Sequence, residues 1–212
     1  VSSVIAVAAG DLAAWVAAHS IGAARYLFGI AGPPGSGKST LAEALADELG
    51  APVVAMDGFH LPNAVLAQRG LSDRKGAPET FAAVAFVDLV RRLRSATDVV
   101  ECPTFDRVLD EPVADQVSVR PDDPVVVVEG NYLLLDEAPW SELAELFDAV
   151  AYIDVPDDMR IERLVERHIR FGRNRRDALD FVHHSDEANT RRVEPGRERA
   201  DVLVSFATST DS

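Results

Sequence analysis

Apolar residues fall in short blocks along the chain, and their spacing switches between continuous runs and a helical period. The clearest block is Val125–Val128, four consecutive valines, the pattern of a parallel strand buried on both faces. Residues 26–31 form a second apolar run that ends in a glycine-rich turn, and residues 40–49 then repeat apolar positions at helical spacing until Gly50. Residues 52–56, 150–155 and 202–206 read as further strands, and residues 81–93 as a helix with Pro78 near its start. Residues 99–102 and 117–119 read as short strands flanking a loop. At the N-terminus, Ile5, Leu12, Trp15 and Val16 in an alanine-rich stretch predict a helix over 3–19, so that residues 1–24 form a helical element packed on the body. Strands alternating with helices predict an α/β fold in three layers: a mainly parallel five-stranded sheet with helices on both faces. The main domain covers 25–207, and 208–212 read as a loose tail. The polar, glycine-punctuated stretch 61–78 is long for a simple connection and predicts a functional loop.

Composition narrows the partners. A chain of 212 residues with 47% hydrophobic content is sized for one domain with a substantial core. Cys102, the single cysteine, cannot form an intramolecular disulfide, and the first residues lack the basic start and cleavage site of a secretory signal, which points to a reducing cytoplasm. No apolar run reaches the roughly 20 residues that span a bilayer, because Asp11 interrupts the N-terminal stretch and Arg25 closes it, so no membrane partner is expected. The net charge of −14 argues against a nucleic-acid partner. Positive charge is nonetheless concentrated: Arg160, Arg163, Arg167, Arg170, Arg173, Arg175 and Arg176 crowd one segment, which marks a local anion site.

The chemistry begins with G-P-P-G-S-G-K-S-T, that is Gly32, Pro33, Pro34, Gly35, Ser36, Gly37, Lys38, Ser39 and Thr40. This is the P-loop pattern in the context it requires, after a strand and before a helix. Its glycines let successive backbone N–H groups turn inward around phosphate oxygens, and the following helix adds the positive end of its dipole. Lys38 is expected to reach the β- and γ-phosphates of ATP, and Ser39 to offer its hydroxyl to magnesium. The plain alternative is a glycine-rich structural turn.

In an open parallel sheet, ligands bind beyond the carboxyl ends of the strands. Asp57 and Glu129 stand at such ends. Phosphoryl transfer needs one acid to orient the acceptor hydroxyl and receive its proton, here Asp57, and another to support the metal, here Glu129; either could instead cap a turn. His60 could touch substrate or be a satisfied loop histidine. Asp106 and Arg107 follow a predicted strand and could bind hydroxyl and anionic groups of an acceptor, or pair with each other at the surface. Asn131 and Tyr132 are weaker candidates just past Glu129.

Met159, Ile161, Leu164, Val165 and Ile169 recur at helical spacing until Gly172, placing Arg163, Arg167 and Arg170 on partly exposed faces. A mobile lid that swings a guanidinium over the γ-phosphate is one reading, with Arg167 and Arg173 as its preferred members. A solvated helix face paired with Glu162 and Glu166 is the other.

From residue 26 onward these features resemble the P-loop kinases that include uridine kinase, phosphoribulokinase and bacterial type I pantothenate kinase. M-D-G-F-H-L-P-N-A-V-L at 56–66, then R-G-L and K-G-A-P-E-T-F, and P-G-R-E-R-A-D at 195–201, look particularly like pantothenate kinase. The resemblance implies that Asp57 is the catalytic acid, that Arg107 and its neighbours lie beside the acceptor, and that Arg163 to Arg173 fall in the lid, whose expected extent is about 157–177. It further implies that Arg197 lies near the adenine and that Asn189 faces the substrate, and it makes a homodimer possible. Pantothenate kinases of this type are longer and line their acceptor pocket with several tyrosines. This chain has only Tyr26, Tyr132 and Tyr152. The whole pattern looks most like small bacterial kinase-like proteins labelled nucleoside or fructose-uptake kinases. The expected function is therefore an ATP- and magnesium-dependent kinase for a hydroxyl of a small molecule: a nucleoside, a pantothenate-like compound or a sugar. A GTPase is excluded, since neither lysine sits in an Asn-Lys-x-Asp base reader. An ATP-binding regulatory switch without an acceptor stays open.

Overall fold

The computed structural model describes residues 4–206. Its centre is strand β2 (Tyr26–Ala31), buried at every residue and hydrogen-bonded in parallel to β6 (Val125–Glu129) on one side and β7 (Ala149–Asp154) on the other. Strand β3 (Val53–Ala55) lies outside β6, and β8 (Val202–Ser205) lies outside β7. The period-2 alternation of side chains sorts the core into two halves. Phe28, Ile30, Val125 and Val127 pack against α1 (Leu12–His19) and α2 (Lys38–Leu49). Leu27, Val126 and Val128 face the other way, against Phe86, Val87, Val90 and Leu93 of α4 (Ala83–Ser95) and the Tyr132–Trp140 segment. Burial on both faces is why these strands lack polar alternation in the sequence.

The N-terminal expectation is corrected. Residues 5–8 form strand β1 (Ile5–Ala8), parallel to β8 with Ile5 level with Val202, so the sheet has six strands among the described residues. A short 3₁₀ turn follows, and the helix begins only at Leu12. Alanine favours helix, but pairing with a strand almost two hundred residues away decides the outcome, and no local window registers that. Ser3 of the expected helix and the tail at 208–212 lie outside the described residues.

Two further segments depart from simple connections. Strands β4 (Val100–Asp106) and β5 (Glu111–Val119) pair as an antiparallel hairpin, longer than the short strands expected. The 61–78 stretch contains helix α3 (Asn63–Arg69) and is closed at its base by an antiparallel bridge between His60 and Phe81. The arginine-rich segment builds α5 (Asp157–Arg170) and α6 (Arg175–Phe181), then a π-turn at Val182–Asp186, then α7 (Glu187–Val193). Leu164, Val165, Ala178 and Val182 give it a small core of its own.

Arg25, which the sequence offered only as the end of an apolar stretch, is buried. Its guanidinium donates to the carbonyls of Leu93 at 2.5 Å, Arg120 at 2.5 Å and Asp123 at 3.3 Å, tying α4 and the exit of the hairpin to the start of β2. Arg25→Ala would leave buried carbonyls unpaired, and a loss of about 2–3 kcal/mol is expected in urea unfolding.

Candidate active site

Parallel pairing brings the carboxyl ends of the strands to one edge. Ile30 and Ala55 both stand level with Glu129, so the loop after β2, the turn after β3 and the end of β6 open together. The loop from Gly32 turns through Gly35 and Gly37, with φ of 79° and 93°, values in the left-handed region that glycine adopts without strain. Helix α2 then starts at Lys38 with Gly37 as its cap. A Cβ on Gly35 would lie 2.6 Å from the carbonyl oxygen of Arg160, so α5 is seated directly on this loop.

Lys38 is buried, and its Nζ donates to the carbonyl of Pro33 at 3.0 Å. Burial brings its pKa down to about 8, against the opposing pull of Glu129 and Asp57. Ser39 Oγ donates to Glu129 Oε1 at 3.1 Å. Burial, and then repulsion from Asp57, push the Glu129 carboxyl well above the usual carboxylate range, with Lys38 and Ser39 acting in the opposite direction. A hydroxyl beside a carboxylate is a pair of hard oxygen donors of the kind magnesium accepts when phosphates and waters complete its shell.

These groups line one cleft of about 700 Å³, together with Pro34, Gly35, Asp57 and His60. Asp57 sits in the 3₁₀ turn Met56–Phe59, and its Oδ2 accepts from Arg107 at 3.0 Å. His60 Nδ1 lies 2.8 Å from the Asp57 carbonyl, which can only accept, so Nδ1 carries the proton and Nε2 is left as an acceptor. Burial lowers the pKa of this ring, which packs against Phe81 and Phe105. Asn189, buried on α7, also lines the cleft, as do Asn131, Arg167 and Arg173. The Arg173 guanidinium rests 3.9 Å above the Phe181 ring. Arg167 has no acid within ion-pair distance among the described residues, and burial lowers its pKa.

Some expected residues lie elsewhere. Tyr132 is fully buried in an aromatic cluster with Phe81 and Trp140, and its hydroxyl donates to the Gly76 carbonyl at 2.5 Å. The sequence could not separate it from Asn131, its neighbour on the cleft side. Asp106 Oδ1 accepts from the N–H groups of Val108 and Leu109 at 2.7 and 2.9 Å, so it caps the hairpin turn and does not pair with Arg107, which lines the cleft and pairs with Asp57. Arg197 pairs with Asp154 at the end of β7 at 2.7 Å, outside the cleft lining. Thr40 is exposed in the first turn of α2. Conversely, Asn63, Lys75 and Asp110 line the cleft without having been singled out, and Phe105, just before Asp106 and Arg107 in the stretch that follows a predicted strand, lines it as well. Lys75 Nζ donates to Asn63 Oδ1 and Asp110 Oδ2, both at 2.7 Å, which ties the 61–78 stretch to the hairpin tip. The available signal was that Lys75 is one of only two lysines and lies within K-G-A-P-E-T-F.

A three-layer parallel sheet with a phosphate loop after its central strand and acids at neighbouring strand ends defines a P-loop kinase. Residues 27–211 match the family model described as Phosphoribulokinase / Uridine kinase family, and the chain belongs to that family. It is an ATP-dependent small-molecule kinase, a phosphotransferase. A protein of Schizosaccharomyces pombe described as a candidate uridine kinase is 34% identical over 194 residues, covering 85% of this chain and 83% of that protein. The crystal structure of a candidate fructose transport system kinase from Silicibacter sp. TM1040 superposes with a TM-score of 0.85 at 38% identity, covering 93% of this chain and 98% of the other. A pantothenate kinase of Nocardioides sp. is 33% identical over 160 residues, 68% of this chain, and the match spans about half (48%) of that enzyme.

Proposed function

We propose that the loop from Gly32 to Thr40 wraps the triphosphate of ATP and that the γ-phosphate passes to a hydroxyl of a small metabolite held at the Asp57 end of the cleft. The observation that carries this reading is the convergence of Lys38, the Ser39–Glu129 pair and Asp57 on one cleft. Lys38 exchanges the Pro33 carbonyl for phosphate oxygens and neutralises the charge that develops on them. Ser39 and Glu129 would hold magnesium, the carboxylate acting through water. The ion, when bound, neutralises and orients the phosphates. Asp57 orients the acceptor hydroxyl and takes its proton as the oxygen attacks.

Arg107, His60 and Asn189 surround that hydroxyl's parent molecule, with His60 Nε2 accepting from it. Arg167 and Arg173 meet the γ-phosphate from the lid, Arg173 leaving the Phe181 face to do so. Arg163 lies beside the loop, its Nη1 within 3.6 Å of where a Gly37 Cβ would stand and its guanidinium carbon 5.9 Å from the Phe206 ring, which fits an adenine bay on that side. Arg197, expected near the adenine, is held by Asp154. The buried thiol of Cys102 and the net charge of −14 fit a cytoplasmic enzyme with no nucleic-acid partner. The acceptor is a nucleoside, a sugar or a pantothenate-like compound, the classes named for the similar proteins.

Screening those classes for ADP release tests the reading. At least one member should raise ADP release well above the rate with water alone. Tight ATP binding with no transfer to any member would favour a nucleotide switch.

Lys38 also sets a pH dependence. In the empty protein its charge is lost as pH rises through about 8, whereas bound phosphates favour the charged form. ATP affinity is therefore expected to fall above about pH 8, by up to about tenfold per pH unit, with uptake of a proton on binding. Calorimetry in buffers of different ionisation enthalpy measures that proton. Binding without proton uptake in this range would contradict the assignment.

A further inference from the structure

Resting on the reading that Arg167 meets the γ-phosphate, we infer that His168 is a positioning residue that keeps this guanidinium available by occupying Asp186. Asp186 is a buried acid in the π-turn Val182–Asp186, and it lines the cleft together with Arg167 and His168. Its Oδ2 lies 2.9 Å from His168 Nε2. Arg167 and His168 are successive positions on α5, so their side chains leave the helix about 100° apart, and among the described residues Asp186 forms an ion pair with only one of them. It engages the imidazole. Yet among the side-chain charges acting on Arg167, that of Asp186 is the strongest. Without the imidazole, the guanidinium would gain a buried carboxylate partner, a strong charge-assisted pairing that competes directly with phosphate.

The same ring has a second contact. His168 packs edge-on against Phe181, with centroids 4.8 Å apart, and Phe181 is the ring on which Arg173 rests. One imidazole thus braces the seats of both lid arginines. The base of the lid is fixed separately: Arg160, fully buried, pairs with Asp157 and Glu187 and donates to Thr190. A change at His168 therefore leaves the anchor of α5 on α7 in place.

The test needs no acceptor. Affinities for the non-hydrolysable analogue AMP-PNP and for ADP, each with magnesium, are measured for the full chain and its variants. His168→Ala should lower AMP-PNP affinity about tenfold and leave ADP affinity nearly unchanged, since ADP lacks the γ-phosphate. His168→Gln, which retains a donor for Asp186, should stay close to wild type. The informative variant is His168→Ala/Asp186→Asn, in which the competing charge is gone and AMP-PNP affinity should return. A merely structural role for His168 predicts the opposite, a double variant no better than the single one, and that result overturns the inference, as does an equal loss for ADP. Arg167→Ala separates the role of the guanidinium from that of His168. Should it keep the wild-type preference for AMP-PNP over ADP, the γ-phosphate reading falls and takes the inference with it. If it loses the preference while the double variant fails to recover, the inference alone is wrong.

Discussion

Asp57→Asn is expected to lower turnover by about 10²- to 10⁴-fold, the range over which a positioned general base contributes. ATP affinity should hardly change, because the groups assigned to the triphosphate lie on the loop after β2 and on the lid, while Asp57 belongs to the turn after β3. The fold should also tolerate the change. Asp57 gives up a pair with Arg107, but both side chains are partly exposed, and such pairs contribute little to stability. The asparagine keeps the size of the side chain and can still accept a hydrogen bond from an acceptor hydroxyl, but it cannot take the proton. KM for the acceptor should therefore move much less than kcat. A variant in which ATP binding collapses while turnover per bound ATP survives would show that Asp57 serves the nucleotide instead.

Lys38→Ala is expected to be at least as damaging, for a different reason. Removing one preorganised donor from developing charge costs about 10²- to 10³-fold in kcat. Here the donor is also a full charge in a buried site, where a charge–charge interaction is screened far less than in water. Its loss should weaken ATP binding as well as transfer, so kcat/KM for ATP should fall further than kcat. The buried Glu129 would then lose the cation that favours its ionised form, and its carboxyl would titrate higher still. Steady-state kinetics with ATP varied at saturating acceptor reads both effects. Wild-type kcat in Lys38→Ala would remove the loop from the chemistry.

Much of this site was legible because its chemistry is local in sequence. The phosphate loop needs glycines at set positions next to a lysine and a hydroxyl, all within nine residues, and the strand-end rule located Asp57 and Glu129 without knowledge of which strands are neighbours. What stayed hidden depends on distant pairing. Strand β1 owes its conformation to β8, and Arg25 owes its role to carbonyls that the fold brings from residues 93, 120 and 123. Asp106 and Arg107 illustrate the limit most sharply. They are adjacent in sequence, yet one caps its own hairpin turn and the other reaches across to Asp57, a division set by the direction of successive side chains along a strand end. Tyr132 and Asn131 are likewise divided, within the turn after β6, one into the core and one to the cleft. His168 and Asp186 carried no motif, because their meeting requires the turn between α6 and α7.

Transfer by this route requires the loop between Gly32 and Thr40 to hold the triphosphate with Asp57 facing across the cleft. A crystal structure with AMP-PNP and magnesium addresses it most directly. Phosphate density should be enclosed by the backbone amides of that loop, with Lys38 Nζ withdrawn from the Pro33 carbonyl onto phosphate oxygens and the metal beside Ser39 Oγ on the Glu129 side. Nucleotide bound elsewhere, or Lys38 still donating to Pro33 beside a bound triphosphate, would contradict it.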